Sequence, residues 1–349
     1  MIRNLLSLDY NEMKREITEV LCWERYRTDQ IADWIYDKKV LDFSRMTNLS
    51  KEQRRILKER YSLDIPKLIE KRVSRIDGTM KFLWELEDGN TVESVLIFHP
   101  NRITACLSTQ VGCPLKCRFC ATGLSGYVRN LSVHEIIGQV LGMEIEAKVG
   151  VSNVVYMGMG EPLLNYENTM KSVRILIDKK LKGMSPRRIT ISTAGIVPRI
   201  YELIDENIDF VLSVSLHAVT NEKRSYLMPV NDRYPLEEVI QAIKDYIERT
   251  NRRVTVEYIL IKNVNDDPRD ARKLGQLLAG IKVNVNLIPY NPVGIENFKR
   301  PDEGRIRRFL EILKNKGIET VVRVEKGSDI RAACGQLRLK LRERRKSRI

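Results

Sequence analysis

From residue 103 onward the chain alternates β-branched runs with longer amphipathic runs, and this alternation constrains the fold more than any other feature. Helical spacing extends, for example, over 133–148, 236–248 and 302–316. Between such stretches lie seven predicted strands, at 103–107, 153–157, 188–192, 210–216, 254–261, 283–288 and 320–324. Strand–helix units in series imply a parallel sheet with right-handed crossovers. We therefore expect an α/β fold in which residues 101–337 curl into a partial (β/α) barrel.

Two smaller regions precede this core. Residues 1–65 show apolar residues at helical spacing and predict a small, basic helical domain, in which Ser50 begins the last helix and Cys22 packs in an apolar stripe. Residues 66–100 alternate apolar and polar residues around Asp77-Gly78 and Asp88-Gly89. These dipeptides are strong hairpin signals. They predict a three-stranded antiparallel extension that joins the helical domain to the core.

Composition indicates the environment and the partner. The 349 residues carry a net charge of +14, and the last stretch, 338–349, is a basic tail. This excess of positive charge favours a nucleic-acid partner. No stretch approaches the ~20 consecutive apolar residues of a membrane span, so we expect no membrane association. Six cysteines, three of them clustered, do not suggest a secreted disulfide scaffold, and we expect a cytoplasmic protein.

The clustered cysteines are Cys113, Cys117 and Cys120, spaced C-x3-C-x2-C in a loop rich in glycine and proline. Three thiolates at this spacing can hold three corners of a cubane iron–sulfur cluster and leave the fourth iron open to a small molecule. Structural zinc is an alternative, although zinc prefers four tetrahedral ligands and the loop offers three. Three buried thiols without a metal are the other alternative.

Small and polar residues follow several predicted strands. In (β/α) barrels the chemistry lies at the C-terminal ends of the strands, so these residues are candidates for a cofactor site. Glycines permit close approach of the backbone to a ligand, and a carboxylate can hold an ammonium group. Ordinary turns, and a histidine satisfied in the core, would look similar. The candidates are Gly160, Glu161, Ser192, Ser215, His217 and Asn291.

The cysteine spacing, with Phe119 before the last cysteine, resembles the signature of radical S-adenosylmethionine (SAM) enzymes. Over nearly the whole chain, the segments CLSTQVGCPLKCRFCATG, MGMGEPLLN, ISTAGIVP, SLHA, NLIPYNP and GSDIRAACGQL resemble the dual-specificity ribosomal and transfer RNA adenine-C2 methyltransferases. The resemblance implies a partial radical-SAM barrel, a [4Fe-4S] cluster and two SAM molecules per turnover. It also implies 23S rRNA and tRNA as substrates, an electron donor such as flavodoxin or ferredoxin, and a monomer.

The resemblance further implies a role for each candidate residue. Cys334 would become S-methylcysteine, and Cys106 would release the product through a transient disulfide with Cys334. Glu93 would accept a proton. The cluster would be held by Cys113, Cys117 and Cys120, and SAM would contact Gly160, Glu161, Ser192, Ser215, Leu216, His217 and Asn291.

Three other functions remain open. The adenine-C8 methyltransferases of antibiotic resistance are close relatives of the C2 group and also contain LMPVNDRYP, although MGMGEP and NLIPYNP look more like the C2 group. Another radical SAM enzyme, acting on a protein, would have no use for Cys106 and Cys334. A zinc-bearing RNA-binding module would contain no iron.

Overall fold

The structure is a computed structural model, and it describes residues 2–294 and 297–337. Its first part is helical, as the sequence predicts, and Ser50 begins the last helix through a capping box with Gln53. Cys22 is exposed and has a φ of 56°, so the prediction that it packs was wrong. The elements are β1 (Arg3–Asn4), α1 (Tyr10–Arg15), α2 (Tyr26–Ala32), α3 (Lys51–Arg60) and β2 (Tyr61–Ser62), with π-helical turns at Glu16–Val20 and Asp33–Asp37 that extend α1 and α2.

The second part is the antiparallel extension. Gly78 and Gly89 adopt positive φ in its two turns, as tight hairpin turns require. Its last strand also pairs antiparallel with the first strand of the core, so the extension and the core share one sheet. The strands are β3 (Lys67–Val73), β4 (Met80–Glu85) and β5 (Thr91–His99).

The third part repeats strand and helix. In chain order it contains β6 (Arg102–Cys106), β7 (Gln110–Gly112), α4 (Ala121–Leu124), β8 (Tyr127–Asn130), α5 (Val133–Ala147), β9 (Asn153–Tyr156), α6 (Tyr166–Ile177), β10 (Ile189–Thr193), α7 (Val197–Asp205), β11 (Val211–Ser215), α8 (Asn221–Leu227), α9 (Leu236–Thr250), β12 (Val254–Leu260), α10 (Pro268–Leu277), β13 (Val283–Pro289), α11 (Glu303–Asn315) and β14 (Thr320–Val322). The seven predicted strands lie within a residue or two of β6 and β9 to β14.

These strands form a single ten-stranded sheet in the order β14-β13-β12-β11-β10-β9-β6-β5-β4-β3. The seven strands β6 and β9 to β14 are parallel. Within the described residues β14 and β3 form the two edges, so the barrel is partial, as expected. Helix α5 packs against β4 closely enough that a Cβ at Gly142 would lie 2.8 Å from the Trp84 ring. No helix among the described residues is both long and apolar enough to span a bilayer.

Residues 327–337, which we call the closing segment, follow the edge strand β14 in the chain and contact the turn beside the other edge strand, β3. Asp329 accepts hydrogen bonds from Ser74 Oγ at 2.7 Å and from the Arg75 backbone at 2.9 Å, both in the turn between β3 and β4. At the other end, the Ala121 backbone donates to the Gly335 carbonyl at 2.7 Å. The closing segment therefore spans the open side of the barrel. The predicted basic tail, 338–349, lies outside the described residues.

Candidate active site

The cysteine loop lies between β7 and β8, an antiparallel pair that the sequence analysis did not predict. The pair encloses the loop, because the Cys113 backbone donates to the Gly126 carbonyl at 2.8 Å. A further bond from the Cys120 backbone to the Cys117 carbonyl, at 3.2 Å, tightens the turn. Gly112 has a φ of 78°, and a Cβ there would lie 1.9 Å from the Gly126 carbonyl oxygen. The local chain thus fixes the three cysteines as a unit.

The three thiols are close enough to affect one another. Burial raises the pKa of Cys113 to about 12, and the nearby Cys120 adds to the shift. Burial also raises the pKa of Cys117 well above its usual value, with contributions from Cys120 and Cys113. No three or more His, Cys, Asp or Glu side chains in the described ranges converge on a point that suits a single metal ion. A cubane cluster places each thiolate at a separate corner, so this donor set suits such a cluster and would supply three of its four ligands.

Glu161, after β9, lies beside the cysteine loop and is almost fully buried. Its Oε2 accepts a hydrogen bond from the Ala194 backbone at 2.8 Å, and its Oε1 accepts one from the Leu163 backbone at 3.0 Å. Burial raises the pKa of this carboxyl to about 7. A cationic ligand would favour the ionised form, so the site is suited to an ammonium group. Gly160 has a φ of 104° and passes so close to Gln110 that a Cβ would lie 2.6 Å from that side chain.

A cavity of about 170 Å³ adjoins these groups, and it is lined by the cysteine loop, Gly160, Glu161, Ser192, Ser215 and His217. The His217 ring has a defined tautomer, because its Nδ1 accepts a hydrogen bond from the Ile259 backbone at 3.1 Å. Burial lowers the pKa of His217 to about 3, so the ring is neutral and Nε2 carries the proton. The cavity therefore combines a carboxylate, two hydroxyls and an imidazole donor beside three thiols.

Two of the predicted cofactor contacts lie elsewhere. The Leu216 side chain is fully buried, and its backbone amide donates to the Glu257 carbonyl at 3.1 Å. Asn291 lines a second cavity instead, and its Nδ2 donates to the Cys334 carbonyl at 3.3 Å. Asn291 Oδ1 is buried without a hydrogen-bond partner among the described residues, so it is available as an acceptor.

The second cavity, of about 610 Å³, fills the barrel interior. Inward-facing residues of the parallel strands line it, together with part of the closing segment. Five residues line both cavities: Met157, Glu257, Ile288, Arg323 and Cys334. Cys334 thus lies on the boundary between the small cavity beside the cysteine loop and the large cavity inside the barrel.

Cys106, at the end of β6, lies near Cys334. Burial raises the pKa of Cys106 to about 12, Cys334 raises it further, and Arg323 opposes the shift. Cys334 also contributes to the raised pKa of Cys120. The structure therefore brings all five predicted site cysteines into one connected group, although the chain separates Cys106 from Cys334 by most of the barrel.

Glu93 lies on β5, one strand away from Cys106, and is buried. Its Oε1 forms an ion pair with Lys81 Nζ at 3.2 Å. Val95, two residues further along β5, lies opposite Cys106 in the sheet. Because side chains two residues apart on a strand share a face, Glu93 and Cys106 project from the same face of the sheet.

Three residues of the site were missed by the sequence analysis. Glu257 Oε1 accepts hydrogen bonds from Ser213 and Asn286, and its Oε2 lies 4.0 Å from Arg323. Arg224 is fully buried, and its Nη2 donates to the Ala194 carbonyl at 2.7 Å and to the Ser215 carbonyl at 3.4 Å. It thereby links the loops after β10 and β11. No local motif marks these charged residues, because only the fold buries them.

Comparisons with known proteins agree with this arrangement. Residues 107–274 match the radical SAM superfamily, and residues 3–63 match the ribosomal RNA large subunit methyltransferase N-terminal domain. A probable dual-specificity RNA methyltransferase RlmN from Thermotoga maritima is 59% identical over 97% of this chain and 98% of its own length. The corresponding protein of Pseudothermotoga lettingae is 56% identical with the same coverage. The crystal structure of a radical SAM methyltransferase from Sphaerobacter thermophilus superposes with a TM-score of 0.93 at 44% identity, covering 97% of this chain and 100% of that one.

Proposed function

Because the chain belongs to the family of the RlmN dual-specificity RNA methyltransferases, we propose that it is a radical SAM enzyme that methylates C2 of an adenine in 23S rRNA and in tRNA. In rRNA the target is the peptidyl-transferase centre, and in tRNA it is the adenine 3′ of the anticodon. The observation that carries the proposal is the grouping of five thiols: Cys113, Cys117, Cys120 and Cys334 line the small cavity, Cys334 also lines the large one, and Cys106 lies near Cys334. Three of them suit a cluster, and the other two suit a methyl relay.

The chemistry explains why two further thiols are needed. Adenine C2 is an electron-poor sp² carbon without a lone pair, so it does not attack a SAM methyl group directly. A [4Fe-4S] cluster on Cys113, Cys117 and Cys120, together with SAM, supplies a methyl group and a hydrogen-abstracting radical, with two SAM molecules used per turnover. In the proposal Cys334 carries the methyl group as S-methylcysteine to the base, from the boundary between the cavities.

Cys106 and Glu93 complete the relay. Cys106 attacks the Cys334 sulfur, so that a disulfide forms and the bond between this sulfur and the methylene carbon on the base breaks. The carbon keeps the electron pair of that bond and takes the proton that Cys106 gives up, which releases the methylated base from the protein. Glu93 accepts the proton that leaves the adenine ring, which suits a buried carboxylate on the same sheet face as Cys106.

SAM would occupy the small cavity and the adjoining part of the large cavity. The Glu161 carboxylate would bind the SAM ammonium group, and the positive φ of Gly160 lets the backbone approach the ligand. Hydroxyls of Ser192 and Ser215 and the Nε2 proton of His217 would bind polar groups of the nucleoside. Leu216 can contribute only through its backbone, and Asn291 would reach SAM from the large cavity.

The large cavity would receive the target adenine. Arg102, Arg188, Arg300 and Lys326 are among its lining residues. These cations suit the phosphates next to an extruded base, and extrusion costs a few kcal/mol of unstacking. We further propose that the enzyme works as a monomer in the cytoplasm, where a flavodoxin or ferredoxin supplies electrons.

The relatives named above favour this function over adenine-C8 methylation, since they are RlmN proteins. The test is methylation of 23S rRNA and of tRNA by protein reconstituted anaerobically with iron, sulfide, reductant and SAM. We expect 2-methyladenosine by nucleoside mass spectrometry in both RNAs. 8-Methyladenosine alone would overturn the C2 assignment, and a colourless protein with zinc as its only metal would overturn the enzyme assignment.

A further inference from the structure

The Lys81 side chain, on β4, joins two parts of the site. Its ammonium group lies 3.2 Å from Glu93 Oε1 and donates a hydrogen bond to the Arg331 carbonyl at 3.0 Å. Arg331 belongs to the closing segment and precedes Cys334 by three residues. The side chains of Lys81 and Glu93 are only 5% and 4% exposed. A buried ammonium group therefore bridges a buried carboxylate and the segment that carries Cys334.

The sheet register places this bridge next to Cys106. Val95 on β5 lies opposite Lys81 on β4 and opposite Cys106 on β6. Directly opposed residues share a face of the sheet, so Lys81, Val95 and Cys106 form one row across three strands. Glu93 projects from the same face, two residues from Val95. The next pair in that direction, Ile97 and Thr104, lines the large cavity.

From this geometry we propose that Lys81 is a positioning residue that couples proton acceptance by Glu93 to docking of the closing segment. The inference rests on the proposed function, which assigns the proton to Glu93 and the methyl group to Cys334. An ammonium group has three donors, so Lys81 can serve both acceptors at once. Displacement of the closing segment removes one acceptor and leaves a buried ammonium group less satisfied. Docking of Cys334 and the charge state of Glu93 are then set together.

Among the described residues, the charged and titratable groups on the elements around Glu93 include Lys81 on β4, Cys106 on β6, Arg323 after β14, and Asp329, Arg331 and Cys334 on the closing segment. Arg323 is a partly exposed cation, and it pairs with Glu257 at 4.0 Å. Loss of the Lys81 ammonium group would remove a positive charge 3.2 Å from the Glu93 carboxylate and so shift Glu93 toward its protonated form. A protonated acid accepts no further proton, so the reaction would then need a higher pH.

The test compares Lys81→Met and Lys81→Arg with the wild type and with Lys71→Met. Lys71 is a matched control, because it pairs with Glu146 at 3.5 Å on the neighbouring strand β3. Each protein is reconstituted with cluster, SAM and unmodified tRNA between about pH 6 and pH 9, a range that covers general-base titration. Peptide mass spectrometry measures methylation of Cys334, nucleoside analysis measures 2-methyladenosine, and a denaturing gel measures RNA bound covalently to protein.

For Lys81→Met we expect normal iron content and normal Cys334 methylation. Product formation should fall about tenfold near neutral pH and recover as the pH rises. A Glu93 pKa that lies well above the pH and rises by one lowers the ionised fraction of this carboxyl about tenfold. Covalently bound RNA should accumulate in parallel. Lys81→Arg, which keeps a cation, should remain within about threefold of the wild type, and Lys71→Met should match it.

Wild-type product rates in Lys81→Met at every pH would overturn the inference. An equal loss at every pH, with no rescue by Lys81→Arg, would also overturn it, because Lys81 would then only support the fold. If Lys81→Met fails to retain iron, Lys81→Gln replaces it with the same readouts and the same criteria. Absence of any RNA methylation by the wild type would refute the proposed function instead, so the two failures are distinguishable.

Discussion

The cysteine loop and the closing segment both present thiols to the same site, but they are held in different ways. The loop is fixed by nearby bonds, such as those between Cys113 and Gly126 and between Cys120 and Cys117. The closing segment is fixed by hydrogen bonds to residues far away in the sequence, namely Ser74, Arg75 and Ala121 of α4. The first arrangement is local and the second depends on the completed barrel. The two regions meet at the bond between Ala121 and Gly335, so a change far from that bond should act mainly on the region that contains it.

The largest expected effect comes from removing one thiol in each region. Cys117→Ala removes one of the three proposed cluster ligands and should abolish both iron binding and RNA methylation. Cys334→Ala removes the proposed methyl carrier and should abolish RNA methylation, by at least about 10³-fold because no other group would do its covalent step, while the iron content stays normal. Iron analysis and nucleoside mass spectrometry on the same preparations check both. Full turnover in Cys334→Ala would refute the methyl relay.

Substitutions at two glycines test the same comparison without removing a thiol. Gly112→Ala forces a Cβ to within 1.9 Å of the Gly126 carbonyl, at a φ of 78°, and should loosen the cysteine loop. Gly327→Ala places a Cβ 2.8 Å from Ala332 and 2.9 Å from Thr79, at a φ of 63°, and should displace the closing segment. Each strained residue costs roughly 1–3 kcal/mol.

We expect Gly112→Ala to lower the iron content and Gly327→Ala to preserve it while product formation falls. Iron content per chain and the rate of 2-methyladenosine formation measure this difference. If Gly327→Ala lost iron to the same extent as Gly112→Ala, the two regions would not be independent.

The smallest expected effect concerns the carboxylate that ties the closing segment to the turn between β3 and β4. The Ser74 hydroxyl, followed by the Arg75 backbone, lowers the pKa of Asp329. Because the pKa is lower in the folded state, this tie is fully present above the ordinary carboxyl value and is lost as the pH falls below about 4. Asp329→Asn should thus increase hydrogen exchange over residues 327–337 severalfold near neutral pH, with unchanged exchange over 113–120. Equal exchange in the variant and the wild type over residues 327–337 would show that this contact does not hold the segment.

Much of the fold could be predicted from the sequence, because the parallel strands are buried runs bounded by turn residues and the helices between them are amphipathic. The predicted strand at 254–261 corresponds to Val254–Leu260, and the predicted helix at 133–148 corresponds to Val133–Ala147. The pairs β1–β2 and β7–β8 could not be predicted, because strands of two to four residues are too short to show a periodicity. Cys22 was assigned to a helix face, whereas it follows the helical turn with a positive φ.

The site residues also divide into those that the sequence predicts and those that only the three-dimensional structure brings together. Spacing alone predicts that Cys113, Cys117 and Cys120 act as a ligand set, because they lie within one loop. Lys81 and Arg323 carry no sequence signal of their own, since alternating basic residues are typical of exposed strands. Only the three-dimensional arrangement shows that Lys81 is buried against Glu93 and that Arg323 lies among the thiols.

The position of Cys334 on the boundary between two cavities has a mechanical consequence. A cysteine side chain has one rotatable bond to its sulfur, with three staggered positions. A group attached to that sulfur can therefore point toward the small cavity beside the cysteine loop or toward the large cavity inside the barrel. If Cys334 carries the methyl group as proposed, rotation about this single side-chain bond would move the group from one cavity to the other.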